Sequence, residues 1–450
     1  MSMDTIWDPQ AERMPAEQRA DLQARRLDDL LGGLAERSPI YRERLAAAGV
    51  GPGDKVGLDG LADLPFTTKQ DLWDAYPWGL LAVPREQVLR VHGSSGTGGR
   101  PTLVAYSRAD LELWAQVCAR ALGCAGAQPG TVTHVAYGYG LFTGGLGLHG
   151  GAELMGCTVI PASSGQSSRQ VRLLRDLEAE VLCCTPSYAV RLGEVLGEQG
   201  IGKEELRLRA GIFGAEPWSE AMRAQIEGLL PLKAVDIYGL SEVIGPGVSC
   251  ECIQGQSGLH VNEDHFLVEV VDPASGRPLG PGERGELVFT TLTREAMPVL
   301  RYRTGDIAAL DPSPCVCGRT LVRMSKVAGR KDDMLVIRGV NVYPSEVEAV
   351  LVAERAVGPQ YMLVVDRTET MPQLVVACEL AAGWAICEET EAAERDRVAA
   401  EVKQAMAQRL GLATEVRVLP VGTIPRVEMG KAQRVAERTP ESNPLRGWLL

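Results

Sequence analysis

At 450 residues the chain is too long for one ordinary core, so two or three domains are expected. A composition of 45% hydrophobic and 23% charged residues is globular, and the net charge of −12 argues against nucleic acid as a bulk partner. Nothing approaches the ~20 apolar residues of a membrane span, the N-terminal stretch lacks a signal-peptide core, and eleven scattered cysteines point to a reducing cytoplasm.

Residues 1–75 read as mostly helical, with Thr67 or Thr68 capping a helix that enters at Lys69. Residues 92–102, "HGSSGTGGRPT", then gather four glycines and four hydroxyl residues. The flanking runs "EQVLRV" and "TLVAYS" read as strands, so this loop joins two strands. It is not a Walker loop, which needs lysine where Gly99 stands, nor a dinucleotide fingerprint, which needs glycine where Pro101 stands. Amides freed by glycine, with hydroxyls beside them, suit a phosphate. Ser107 and Asp110 have capping-box spacing, and Leu111, Trp114, Cys118 and Leu122 share one face of the helix that follows.

Over residues 133–239 short apolar runs alternate with amphipathic helices, which predicts a parallel sheet covered on both faces. Beyond 255, "HFLVEVVD", "GELVFTTLT" and "VLRYRTGDIAAL" are separated by Gly/Pro turns, and a small antiparallel barrel is expected. A last unit begins near "GRKDDMLVIRGVNVYPSEVEAVL" and has short strands with a helix over 391–410. The expected fold class is α/β. A large domain, 1–331, has a helical start (1–75), a doubly wound parallel sheet (76–255) and a β-barrel part (256–328). A smaller α+β domain spans 332–450.

Several separate stretches carry chemistry. "DIYGLSE" (236–242) presents Glu242 at the carboxyl edge of the last parallel strand, where open sheets bind ligands. "YRTGD" (302–306) sets Asp306 just beyond a strand, suited to the vicinal hydroxyls of a ribose. "IPRVEMGKAQRV" (424–435) carries a lone lysine, Lys431. "AYGYGLFTGG" (136–145) has Tyr137, Tyr139 and Phe142 over small residues, which suits a flat ring and equally suits core packing at a strand end. "SCECIQGQSGLH" and "CVCG" offer Cys250, Cys252, His260, Cys315 and Cys317, zinc-type ligands at a C-x-C spacing tighter than usual. Taken singly, each stretch also reads as a turn, a cap or core packing.

Together and in this order they resemble the adenylate-forming superfamily of acyl-CoA ligases, adenylation domains and luciferases. The phenylacetate–CoA ligase branch is the nearer likeness, carried by "LPFTTKQDLWDAYPWGL", "SSGTGGRPT", "AYGYGLFTGGLGLHGGAE", "DIYGLSEVIGPGVSCEC" and "RGVNVYPSEVE", and it covers nearly the whole chain. The resemblance implies an enzyme that activates an aromatic, phenylacetate-like acid with ATP and Mg²⁺ as acyl-AMP. Coenzyme A then captures the acyl group, releasing AMP.

Ser94, Ser95, Gly96, Thr97, Gly98 and Gly99 would cradle the phosphates, with Gly98 and Arg100 standing where threonine and lysine are common. Gly214, Ala215, Glu216 and Pro217 would face Asp236, Ile237, Tyr238 and Gly239 across the adenine, and Asp306 and Arg330 would meet the ribose. Glu242 would hold Mg²⁺ and Lys431 would bridge the substrate carboxylate and the α-phosphate, the two forming the catalytic pair. Asp332 would be the hinge of a mobile C-terminal domain, and Gly339 would pass the pantetheine arm of CoA. Tyr137, Tyr139, Phe142 and Ala215 would border the acyl group. Cys252, His260, Cys315 and Cys317 would hold a structural zinc pinning the barrel to the sheet domain. The resemblance points to a homodimer, while the net charge and the lack of an apolar span argue against a nucleic-acid or membrane partner. Two alternatives stay open: an adenylating enzyme that loads a carrier protein or another non-CoA acceptor, and a catalytically silent ligand-binding protein of the same fold.

Overall fold

Two reciprocal caps start helices where the sequence places them. The Thr68 hydroxyl accepts from the Asp71 amide (3.4 Å) while the Asp71 carboxylate takes the Thr68 amide (2.7 Å), opening helix Lys69–Asp74. Ser107 and Asp110 do the same at 3.1 and 2.9 Å for helix Arg108–Cys124. The computed structural model describes residues 6–93, 102–330, 335–337, 340–368, 373–381, 384, 391–425 and 434–439. Its contacts divide the chain into two compact units, one of residues 1–185, 196–215 and 231–327, the other of 186–195, 216–230 and 328–450.

In the first unit, helices Ala16–Arg37 and Pro39–Ala47 bury Leu27, Leu31, Leu34, Tyr41 and Leu45. Strands β1 (Arg90–Gly93) and β2 (Leu103–Tyr106) pair antiparallel with Gly93 opposite Leu103, so the glycine-rich stretch does join two strands. Then come β3 (Val132–Val135), β4 (Thr158–Ile160), β5 (Val181–Cys184), β6 (Ala210–Gly214) and β7 (Lys233–Leu240). They run parallel in the order β7-β6-β5-β3-β4. Every residue of β5 and β6 is buried, as a sheet covered on both faces requires. From β3 the chain passes to β4 at the sheet edge and then returns across to β5, leaving a crevice at the carboxyl ends of β3 and β5.

The α/β class holds, and the large sheet extends further than the sequence suggests. Strand β8 (Gly245–Glu251) turns back antiparallel on β7, and β9 (Leu259–Val261) follows it. The meander of β10 (Phe266–Val271), β11 (Gly285–Thr291) and β12 (Tyr302–Ala308) is separate. Strands β13 (Leu310–Asp311) and β14 (Arg323–Met324) rejoin β9, completing a nine-stranded sheet. The three runs expected to form a small barrel, β10, β11 and β12, do pair antiparallel in one sheet, while β9, β13 and β14 of the same stretch join the large sheet instead. The sequence "GPGVSCE" hides β8, because its glycines answer a tertiary demand. A Cβ on Gly245 would lie 2.6 Å from the Trp114 ring and one on Gly247 3.0 Å from Val117, both on helix Arg108–Cys124.

In the second unit strands Val357–Asp366 and Gln373–Leu380 pair antiparallel. Val435–Arg438 and Glu415–Leu419 flank them in parallel. Helix Glu391–Leu410 buries Val398, Val402 and Met406 at four-residue spacing, and helix Pro344–Ala353 adds Val347 and Leu351 to the same core. No helix among the described residues is long and apolar enough to cross a membrane.

Candidate active site

The segment leaving β3 runs along the crevice at the carboxyl edge. Tyr137 is buried, and its hydroxyl reaches the Ile212 carbonyl of β6 at 3.5 Å. Tyr139 and Phe142 are half-buried. A Cβ on Gly144 would lie 2.6 Å from the Phe142 ring and 3.3 Å from Tyr137, so the glycine sets how closely helix Gly144–Met155 approaches the aromatics. The Tyr139 hydroxyl meets His149 Nδ1 at 3.2 Å, and His149 Nε2 meets Glu153 at 3.1 Å, which fixes the ring from the helix behind it. Burial raises the Tyr139 pKa above its ordinary value, so the phenol stays neutral.

Gly214 and Ala215 end β6, and Ala215 holds φ +70, a left-handed conformation that costs an alanine about 1–2 kcal/mol. Asp236 and Tyr238 point to one side of β7 and Ile237 to the other, and the pairing with β8 shifts register between Tyr238 and Gly239. The Asp236 amide donates to the Glu251 carboxylate at 3.1 Å. Most tellingly, the Tyr238 hydroxyl donates to Asp306 Oδ2 at 2.6 Å, with the Tyr238 ring stacked on Phe289. Two expected site residues from different sheets therefore meet. Glu216 lies in the second unit, where its carboxylate accepts the Ser187 amide at 2.7 Å at the start of helix Pro186–Glu198. The adjoining Pro217 is exposed.

Glu242 sits in the turn between β7 and β8, buried, and its carboxylate has no hydrogen-bond or ion-pair partner among the described residues. The turn beneath it is held firmly. Arg294, also buried, donates to the carbonyls of Glu242 (2.6 Å), Val243 (2.8 Å) and, more weakly, Ser241 (3.4 Å), while its other terminal nitrogen reaches Ala105 of β2 (3.2 Å). The guanidinium lies 5.0 Å over the Tyr106 ring, whose hydroxyl donates to the Ile244 carbonyl at 2.9 Å. Trp114 stacks on Tyr106 and donates from Nε1 to the Pro246 carbonyl at 3.0 Å. Sequence reasoning missed Arg294 and Tyr106 as site residues, and it read Trp114 only as helix packing. No local signal marks the first two, because their partners are backbone carbonyls.

The cysteine stretches converge. Cys252 follows β8, His260 lies in β9, and Cys315 and Cys317 lie between β13 and β14, with one ligand atom from each within 4.8 Å of the others. Cys252 Sγ is 3.6 Å from Cys315 Sγ, and Cys317 Sγ is 3.4 Å from His260 Nε2. The Gly255 amide donates to Cys252 Sγ at 3.3 Å, and a Cβ there would stand 3.1 Å from Cys315 Sγ. Hydrogen bonding between Cys252 and Cys317 holds the Cys317 thiol far below its ordinary pKa and pushes Cys252 up. Cys250 stays apart, facing the Ala121 carbonyl. The expectation that this cluster pins a barrel to the sheet needs correcting. All four residues belong to the large sheet's antiparallel extension, so the cluster ties the loop between β13 and β14 to β8 and β9.

Residues 94–99, Asp332, Gly339 and Lys431, and the Arg330 side chain, lie outside the described residues. Those that are described, apart from the cysteine cluster and Glu216 with Pro217, stand at the carboxyl edges of β3, β6 and β7 or beside Asp306 on β12.

Residues 77–293 match the AMP-binding enzyme family and residues 339–439 the AMP-binding enzyme C-terminal domain. Fold and sequence together define an adenylate-forming enzyme. The chain is 50% identical to the phenylacetate-coenzyme A ligase of Thermus thermophilus, over 96% of this chain and 99% of that one. It is 47% identical to the Escherichia coli enzyme of the same name, over 97% and 98%. This chain belongs to the phenylacetate-coenzyme A ligase family. Among solved structures, 2-hydroxyisobutyryl-CoA ligase in complex with 2-HIB-AMP matches with a TM-score of 0.89 at 30% identity, over 97% of this chain and 93% of that one.

Proposed function

We propose that this chain is an AMP-forming ligase that activates a phenylacetate-type aromatic carboxylate with ATP and transfers the acyl group to coenzyme A. The observation that carries this reading is 45–50% identity to phenylacetate-coenzyme A ligases along nearly the whole length. In the first half-reaction a carboxylate oxygen bonds to the α-phosphorus of ATP and pyrophosphate leaves. In the second the CoA sulfur, having given up its proton, bonds to the acyl carbon and AMP leaves with the oxygen.

In this reading Tyr137, Tyr139, Phe142 and Ala215 border the ring of the acid, and Asp306, steadied by Tyr238, takes the ribose hydroxyls. Gly214 to Pro217 and Asp236 to Gly239 flank the adenine. Residues 94–99 and Arg330 hold phosphates and ribose. Glu242, a buried carboxylate without a protein partner among the described residues, suits Mg²⁺, which would neutralise charge as pyrophosphate departs. Lys431 brings the cation that lets two anionic oxygens approach, and losing it costs ~10²–10³ in rate. Asp332 and Gly339 serve the second half-reaction as hinge and CoA passage.

Cys252, His260, Cys315 and Cys317 would hold a structural zinc. The sulfur and imidazole spacing and the amide of Gly255 aimed at Cys252 Sγ favour a thiolate site. Such an ion would cross-link strands and take no part in the chemistry.

A panel of carboxylates scored for pyrophosphate release, with and without CoA, tests the reading. Arylacetates are expected to respond, with AMP release requiring CoA. Silence across the panel would sink the proposal, and acyl loading of a carrier protein in place of CoA would change the acceptor. Lys431→Ala should slow adenylation about 10²–10³-fold while leaving thioester formation from supplied acyl-adenylate largely intact.

A further inference from the structure

We infer that His92 is a positioning residue that couples the acyl segment to the nucleotide-side elements by holding the carbonyl of Leu141. The inference rests on the ligase reading above. His92 lies at the end of β1, the strand that leads into the glycine-rich stretch, and it is 1% exposed. Its Nδ1 stands 3.0 Å from the Leu141 carbonyl, and the amide of the next residue, Gly93, donates to the same oxygen at 2.9 Å. A carbonyl can only accept, so Nδ1 carries the proton and the ring is a fixed donor. Leu141 sits between Tyr139 and Phe142, and its side chain is 58% exposed. The segment is therefore anchored here through its backbone, not through packing of Leu141.

The other side of the imidazole is wedged. Its ring meets Tyr106 edge-on at 5.4 Å and Trp114 edge-on at 5.3 Å. These two rings in turn donate to the Ile244 and Pro246 carbonyls beyond Glu242. One buried side chain thus touches the β1 root of the proposed phosphate loop, the backbone between two acyl-lining aromatics, and the aromatic pair that braces the Glu242 turn. Burial lowers the His92 pKa, so the ring is neutral near pH 7 and adds no charge to this apolar nest. Nothing in the mechanism uses His92 to move a proton. Its geometry instead links two binding events, since displacing Leu141 for the acid pulls on the strand end and on the rings that support the nucleotide side.

Linkage makes such coupling reciprocal: the nucleotide should strengthen acid binding by the factor by which the acid strengthens nucleotide binding. Two variants separate the donor from the ring. His92→Phe keeps the aromatic edges and loses the N–H, while His92→Asn keeps a donor near the Nδ1 position and loses the ring. Phenylacetate affinity would be measured with and without α,β-methylene-ATP, alongside melting temperature. The wild type should show positive coupling. His92→Phe should lose about fivefold of it, the worth of one net hydrogen bond, and His92→Asn should retain most of it whatever its melting temperature.

Amide hydrogen exchange over residues 137–145 supplies an arm that needs no acid. The analogue alone should slow exchange in the wild type and in His92→Asn but not in His92→Phe. If phenylacetate fails to bind the wild type, the substrate reading fails while the exchange arm still decides the clamp. Unchanged coupling and protection in His92→Phe, equal loss in both variants, or no protection in the wild type would each overturn the inference.

Discussion

Arg294 offers the most direct test of how the Glu242 turn is held. Its guanidinium makes contacts of 2.6, 2.8 and 3.2 Å to the carbonyls of Glu242, Val243 and Ala105. Its own segment is held in turn, since the amides of Glu295 and Ala296 donate to the capping residue Asp110 at 2.7 and 2.9 Å. A net hydrogen bond to a charged donor contributes about 1.5–3 kcal/mol, and contacts sharing one side chain do not add fully. Arg294→Met should therefore destabilise the protein by about 3–5 kcal/mol, and Arg294→Lys, which keeps the charge but not the planar fork, by about half as much. Urea unfolding measures both.

The functional expectation is sharper than the stability one. With its carbonyls released the turn no longer fixes the Glu242 carboxylate, and a displacement of about 1 Å can cost ~10²-fold in rate. Acid-dependent ATP–pyrophosphate exchange, run at rising Mg²⁺ in Arg294→Lys, should show a rate at least about tenfold lower and a higher half-saturating Mg²⁺. If stability fell as calculated while rate and Mg²⁺ dependence matched the wild type, Arg294 would be packing alone and the link to Glu242 would be wrong.

Gly147→Ala sets a Cβ 2.6 Å from the Trp114 indole and should cost about 1–3 kcal/mol by thermal melting, whereas Gly150→Ala on the same helix meets only Ala115 at 3.8 Å and should be neutral or mildly stabilising. His265 is pushed down to about 4 by burial, against the pull of Asp264 and aided by Arg120, so the unfolded chain binds its proton first as the medium acidifies. Stability is therefore full above about pH 6.5 and falls toward pH 4, by about 2 kcal/mol at pH 5; His265→Asn should flatten the urea midpoint over that window. Protein purified without chelator should carry zinc, and Cys317→Ser should release it and lower the melting temperature; elemental analysis finding none in the wild type removes the proposed ion. Tyr238→Phe deprives Asp306 of its 2.6 Å donor and should raise the KM for ATP about three- to tenfold with kcat little changed.

What was legible in the sequence follows from what each interaction recognises. The caps at Thr68 and Ser107 are local, because partner and acceptor sit three residues apart, and pattern alone finds them. The cysteine cluster depends on side-chain identity, and four thiol or imidazole groups announce themselves wherever they stand. Its placement was not legible, since whether β9 and β14 join the large sheet or close a barrel is decided by strand pairing between distant segments, and "GPGVSCE" conceals β8 behind glycines that Trp114 and Val117 demand.

Arg294 and His92 lie deeper still. Both act on backbone carbonyls, and a carbonyl is the same group at every position, so no residue type at 141, 242 or 243 records that its oxygen is held. This has a consequence for variation in the chain. The side chain of Leu141 is free to change, because the clamp needs only its backbone. His92 is not, because it must at once donate from Nδ1, fill the gap beside Tyr106 and Trp114, and remain neutral in an apolar nest. Substituting Leu141 by alanine should accordingly leave substrate coupling intact where His92→Phe loses about fivefold of it, which places the constraint on the donor and not on the segment it holds.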